Sequence, residues 1–192
     1  MNRIILASGS PRRRELLERY GIELKVVKSD IVEKFNHGES PEQISMTLAF
    51  SKALSVSKAF NNDIIIGADT IVVYKNNIIG KPKNNEEASK ILTMLSGNVH
   101  DVITGISIIR AGTNQKIIDY ERTKVKFNNL TPERINRYII SKESFDKAGA
   151  YGIQGLGAIL VEKIDGCYSN VVGLPLSKID FLLGRYFNFN IL

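Results

Sequence analysis

The chain opens on a run of apolar residues, Ile4 to Ala7 within "RIILA", and then changes period: in "PRRRELLERY" (11–20) Leu16, Leu17 and Tyr20 share one helical face. The first pattern predicts a buried strand and the second an amphipathic helix. Ser10 and Pro11 suit the N-cap and first position of that helix, where proline has no N–H to leave unpaired. "ELKVVKS" (23–29) predicts a second strand, and "SPEQISMTLAFSKALSVSKAF" (40–60) a long helix starting at Ser40 and Pro41.

"DIIIGADTIVVY" (63–74) predicts a buried strand interrupted at Gly67, and "KNN" turns it into a hairpin-like return through "IIGKP". "NEEASKILTML" predicts a third helix. Two long β-rich runs, "HDVITGISIIRA" and "QKIIDYERTKVKF", flank a Gly-Thr-Asn turn and predict a large antiparallel hairpin. "TPERINRYII" predicts a fourth helix, "GAILVEKIDG" (157–166) another strand and "LPLSKIDFLLGRYF" a final helix. The alternation, broken by hairpins, predicts an α/β fold with a mixed sheet.

With 192 residues, 43% of them hydrophobic, the chain can bury a proper core. Its net charge of +6 would suit a polyanion, but 26 Lys and Arg are spread along the chain among 20 acids. No aromatic platform interleaves with them, so no nucleic-acid partner is expected. A lone cysteine, Cys167, rules out an intrachain disulfide framework and favours a reducing cytoplasm. The opening apolar run is too short for a signal peptide, and no stretch approaches a membrane span.

Chemistry concentrates in a few places. Ser8, Gly9, Ser10, Arg12 and Arg13 stand where a helix N-terminus presents unpaired N–H groups, which is either a phosphate cradle or a solvated basic helix start. The spacing is not that of a P-loop. Asp69 leaves so apolar a strand that it must be paired, hydrogen-bonded or bound to a cation: a candidate base or metal ligand, or a structural turn cap. Lys52, on the apolar part of the second helix, needs an anionic partner if buried, and Lys81 lies across the turn from Asp69 if the hairpin forms. Either could instead be a snorkelling surface lysine, the usual fate of lysine. Asp30 and Glu33 could bind Mg²⁺ or lie in a solvated loop. His37 and His100 join no nucleophile arrangement.

Taken together, "S-x-S-P-R-R", "GADT-x-V" followed by "GKP", "SG-x-x-H-x-V-x-TG", "DKAGAYGIQG" and "NVVGLPL" resemble, in order and spacing over essentially the whole chain, the Maf family of nucleoside triphosphate pyrophosphatases. The resemblance implies a single Maf-like domain over 1–192, akin in fold to the inosine triphosphate pyrophosphatases, with an elongated mixed sheet and two lobes around a cleft. It implies cleavage between the α and β phosphates with Mg²⁺ or Mn²⁺, by a cytoplasmic homodimer. "ADT", rather than the "ADQ" of a branch preferring methylated guanosine triphosphate, resembles the branch acting on dTTP and UTP.

By motif position the resemblance makes Asp69 the proton acceptor, and Arg12, Thr70 and Gln154 the residues of substrate preference. Ser8, Ser10, Arg13, Lys52 and Lys81 would hold phosphates or stabilise charge on them, and Glu33 would help Asp69 bind metal. Two departures stand out: Val32 where the family often has an acid, and "SKE" (Ser141, Lys142, Glu143) where it has "SGE". The rival expectation is a nucleotide- or nucleic-acid-binding regulator of cell division with little turnover.

Overall fold

The computed structural model describes residues 3–32 and 38–192. In chain order the elements are β1 (Ile4–Ala7), α1 (Pro11–Glu18), β2 (Leu24–Val26), α2 (Pro41–Ser57), β3 (Ile64–Tyr74), β4 (Asn77–Ile79), α3 (Asn85–Leu95), β5 (Val99–Arg110), β6 (Lys116–Phe127), α4 (Pro132–Ile140), β7 (Val161–Asp165), α5 (Tyr168–Val172) and α6 (Leu176–Leu182). Short 3-10 turns occupy Ala148–Ala150 and Gly155–Leu160, and a π turn, Leu183–Phe187, prolongs α6.

The helices begin where local chemistry allows it. Ser40 Oγ accepts the Gln43 N–H at 3.3 Å while Gln43 Oε1 accepts the Ser40 N–H at 2.8 Å, so two orphan donors of α2 are satisfied reciprocally. Asn84 and Thr131 cap α3 and α4 in the same way with one bond each. Ser10 occupies the N-cap of α1, but its side chain makes no capping bond.

The strands form one mixed sheet in the order β2-β1-β3-β5-β6-β7, with β4 on β3. β1 runs parallel to both neighbours, placing Ile4 beside Leu24 and Ile64 and Ala7 beside Gly67. β4 returns antiparallel, with Tyr74 opposite Asn77. The two-residue turn between them holds Lys75 and Asn76 at positive φ, the handedness that matches strand twist.

The chain divides into two compact units, one of residues 1–69, 104–121 and 173–192, the other of 70–103 and 122–172. Each has its own core. In the first, Ile5, Ala7, Ala53, Val56, Ile65 and Ile109 cluster; in the second, Leu92, Val102, Val125, Phe127, Ile135 and Tyr151 do.

Three expectations need correction. β3 runs unbroken through Gly67, because that glycine admits a helix rather than a bend. Residues 155–160 form a 3-10 turn, so the predicted strand at 157–166 shrinks to β7. Tyr20 lies past the end of α1 and is exposed, leaving Leu16 and Leu17 as its buried face.

Candidate active site

Strand order locates the first group of polar residues. From β1 the chain crosses through α1 to β2 on one side, and from β2 through α2 to β3 on the other. Where successive parallel connections leave in opposite directions, a crevice opens at the carboxyl ends of the strands. In this fold that point lies at the ends of β1 and of the parallel ladder on β3. Ser8 follows Ala7 there, and Asp69 stands two residues beyond Gly67, the partner of Ala7.

The β1–α1 turn is braced from within. Ser8 is buried, and its Oγ accepts hydrogen bonds from the Ser10 N–H and from Arg13 Nη1, each at 3.2 Å. Arg13 Nε donates to the carbonyl of Gly173 at 2.7 Å. Arg13 therefore ties the "SPRR" turn to the start of the "GLPL" segment, a structural contact that neither the phosphate-cradle nor the solvated-helix-start reading included. Arg12 is half-buried in the first turn of α1, and that turn contains no acidic residue to offset the arginines.

Asp69 and Lys52 meet at 2.5 Å between Oδ1 and Nζ, both side chains nearly buried. The contact depends on glycine. A Cβ on Gly67 would stand 2.4 Å from the Ala49 carbonyl oxygen and 2.9 Å from Ala53 Cβ, so only hydrogen at this position lets α2 lie so close to β3. Gly105 does the same on β5, where a Cβ would stand 2.2 Å from the backbone of Ser45. Lys52 occupies the turn of α2 between Ala49 and Ala53, and the close approach delivers its ammonium to Asp69. The partner demanded by a buried lysine is thus the carboxylate that itself demanded a partner.

Thr70, Lys81 and Gln154 belong to the second unit. Thr70 and Gln154 are half-buried, and Lys81 is exposed beyond β4. The expected hairpin does form. Its "GKP" end is fastened to the "DKAG" segment, because the Gly80 carbonyl accepts the Gly149 N–H at 3.1 Å. Glu33 lies outside the described residues.

Sequence reasoning missed two polar assemblies in this unit. His100 Nε2 lies 2.8 Å from the Tyr151 hydroxyl, and both rings meet Phe127 edge-on. Burial holds the His100 imidazole down at about 4 and pushes the Tyr151 phenol upward. Asn170 Nδ2 donates to the Val102 carbonyl and to Thr123 Oγ1, which also accepts the Cys167 N–H. The signal for both was present: His100 and Asn170 are polar residues set among core residues.

Among the described residues no three His, Cys, Asp or Glu side chains come together. Tetrahedral metals require such a cage, whereas Mg²⁺ or Mn²⁺ is held by one or two carboxylates with phosphate and water completing the shell. A single buried Asp69 fits the second kind of ion. No helix among the described residues is long and apolar enough to cross a membrane.

A buried acid–lysine pair at the end of a parallel ladder, with an arginine-bearing turn after the adjoining strand, marks the first unit of this α/β protein. Residues 3–186 match the family described as Maf-like protein, and the chain belongs to that family. It is 52% identical, over all of both chains, to a relative from Alkaliphilus oremlandii (strain OhILAs) named dTTP/UTP pyrophosphatase. It is 50% identical to one of the same name from Clostridioides difficile (strain 630), covering 98% of this chain and 97% of that one. Among solved structures it resembles the Ham1 protein of Staphylococcus aureus at a TM-score of 0.47 and 16% identity, over 83% of this chain and 80% of that one.

Proposed function

We propose that this chain hydrolyses dTTP and UTP to the nucleoside monophosphate and pyrophosphate. The observation that carries the reading is the buried Lys52–Asp69 pair at the carboxyl end of the β1–β3 ladder, in a chain about half identical to relatives named for that activity. In this reading Asp69 accepts a proton from the water that attacks the α-phosphorus, and the bond to the bridging oxygen breaks to release pyrophosphate. Lys52 orients the carboxylate of Asp69. Arg12, Ser8, Ser10 and Arg13 line the turn that receives phosphate oxygens, and Lys81 adds a cation to the charge that develops on them. Such hydrolysis is chiefly positioning and electrostatic stabilisation, so no covalent nucleophile is required.

Asp69, with Glu33, would hold Mg²⁺ or Mn²⁺, which neutralises charge on the triphosphate when bound. Thr70 and Gln154 join Arg12 in selecting the base. The same reading takes the working form to be a cytoplasmic homodimer, which sedimentation of the purified protein and fractionation of cells would check.

The test is product analysis with Mg²⁺ and a panel of nucleoside triphosphates, repeated after chelation. Monophosphate plus pyrophosphate, formed preferentially from dTTP and UTP and lost with the metal, is the expected result. Diphosphate plus phosphate, or no turnover with either Mg²⁺ or Mn²⁺, overturns it.

A further inference from the structure

Gln154 sits just before a 3-10 turn, in a stretch where two nearby backbone donors are met by side chains. Two residues before it, the Gly152 N–H donates to the Tyr138 hydroxyl at 3.1 Å. Two residues after it, the Leu156 N–H donates to Glu143 Oε1 at 3.2 Å. Both acceptors come from one place, the last turn of α4 and the turn that follows it. The Glu143 turn is itself held, because its carbonyl accepts Lys147 Nζ at 2.6 Å and its N–H reaches Ser141 Oγ.

The segment folds back tightly around these ties. A Cβ on Gly157 would stand 2.1 Å from the Gly152 carbonyl oxygen and 2.9 Å from the Tyr138 hydroxyl. Gly155 has φ +66°, and a Cβ on it would stand 2.9 Å from Glu143 Oε1. The Tyr138 ring is buried in the core of the second unit, so its hydroxyl is aimed from a rigid base.

We infer that Tyr138 and Glu143 are positioning residues for base selection, holding the backbone on both sides of Gln154 so that its amide meets the pyrimidine at a fixed place. The inference rests on the role given to Gln154 above. Discrimination by a hydrogen-bonding side chain needs placement to about 0.5 Å, which an untethered loop does not supply. Neither Tyr138 nor Glu143 touches the reacting atoms in this scheme; each acts through Gln154.

The experiment compares kcat/KM for UTP with that for GTP in the full chain and in Tyr138→Phe, Glu143→Ala, Glu143→Gln and Gln154→Ala, with thermal stability recorded for each. Tyr138→Phe removes one oxygen and keeps the packed ring. It and Glu143→Ala are expected to lower the UTP:GTP ratio by about 3- to 10-fold, the worth of one hydrogen bond, through KM more than through kcat for UTP. Glu143→Gln keeps an acceptor and restores most of the ratio.

In a Gln154→Ala background Tyr138→Phe changes the ratio by less than about 1.5-fold, since the two then act on one path. An unchanged ratio with lowered stability, or effects that multiply independently of Gln154, overturns the inference. If the parent protein turns over no nucleotide, the proposed function fails, and the inference is judged on calorimetric affinities for UTP and GTP in the same variants. The same pattern in binding supports it, and absence of base discrimination overturns it.

Discussion

Lys52 Nζ stands 2.5 Å from Asp69 Oδ1, an ammonium from the middle of α2 against a carboxylate in the middle of β3. Both side chains are nearly buried, so each is the other's condition for being there. Asp69→Asn keeps the volume and removes the proton acceptor. Turnover of UTP is expected to fall by about 10²- to 10⁴-fold, while binding of the triphosphate, measured by calorimetry, persists. Turnover within a few-fold of the parent would remove Asp69 from the role of base. Lys52→Ala leaves the carboxylate without that charge and should cost about 3 kcal/mol in urea unfolding.

Gly67→Ala tests whether the α2–β3 approach positions the pair. The added methyl meets backbone oxygen at 2.4 Å, so α2 must move away and carry Lys52 with it. Overpacking of this kind costs about 1–3 kcal/mol. Activity should fall further than stability alone explains, when assayed at a temperature where the variant is fully folded. Full activity in the folded variant would show that the pair tolerates a displaced helix.

His100 makes stability depend on pH. Its folded-state value of about 4 lies below the ordinary 6.5 because the ring is buried, and Nδ1 has no hydrogen-bond partner among the described residues. Between those two values the unfolded chain binds a proton that the folded chain refuses. The contribution is therefore fully present above about pH 6.5 and is lost as pH falls toward 4. Urea unfolding at pH 7.5 and 5 should show about 2 kcal/mol more loss in the parent than in His100→Gln; equal losses would show that His100 does not drive the acid limb.

Lys142 has φ +64° just past the end of α4, a left-handed position. Its N–H bonds the Ile139 carbonyl, the left-handed termination that glycine adopts without strain. Lys142→Gly should stabilise the protein by up to about 1 kcal/mol, the relief of backbone strain less the added freedom of the unfolded chain. A loss of stability on chemical unfolding would mean that the lysine side chain contributes more than its backbone costs.

The strands and helices were legible wherever the signal was local. Ile4 to Ala7 reads as a strand from hydrophobicity alone, and Ser40, Pro41 and Gln43 announce a helix start because the capping bonds span only three residues. The turn at Lys75 and Asn76 was likewise visible, since its flanking runs pair across two residues. Asp69 was legible as a carboxylate in need of a partner, because it leaves an apolar strand, whereas Lys52 was legible as needing one only if buried, which the sequence left open.

Local pattern therefore carries the α/β alternation, the motif residues and a carboxylate, Asp69, in need of a partner. Only the tertiary structure decided that Asp69 and Lys52 answer each other, because their meeting depends on two glycines letting α2 lie flat on the sheet. It alone made Gly67 a contact rather than a break, turned Arg13 toward Gly173, and brought Tyr138 and Glu143 to the backbone around Gln154. Local pattern records what each residue prefers, whereas a hydrogen bond between positions 13 and 173 exists only once the intervening chain has packed.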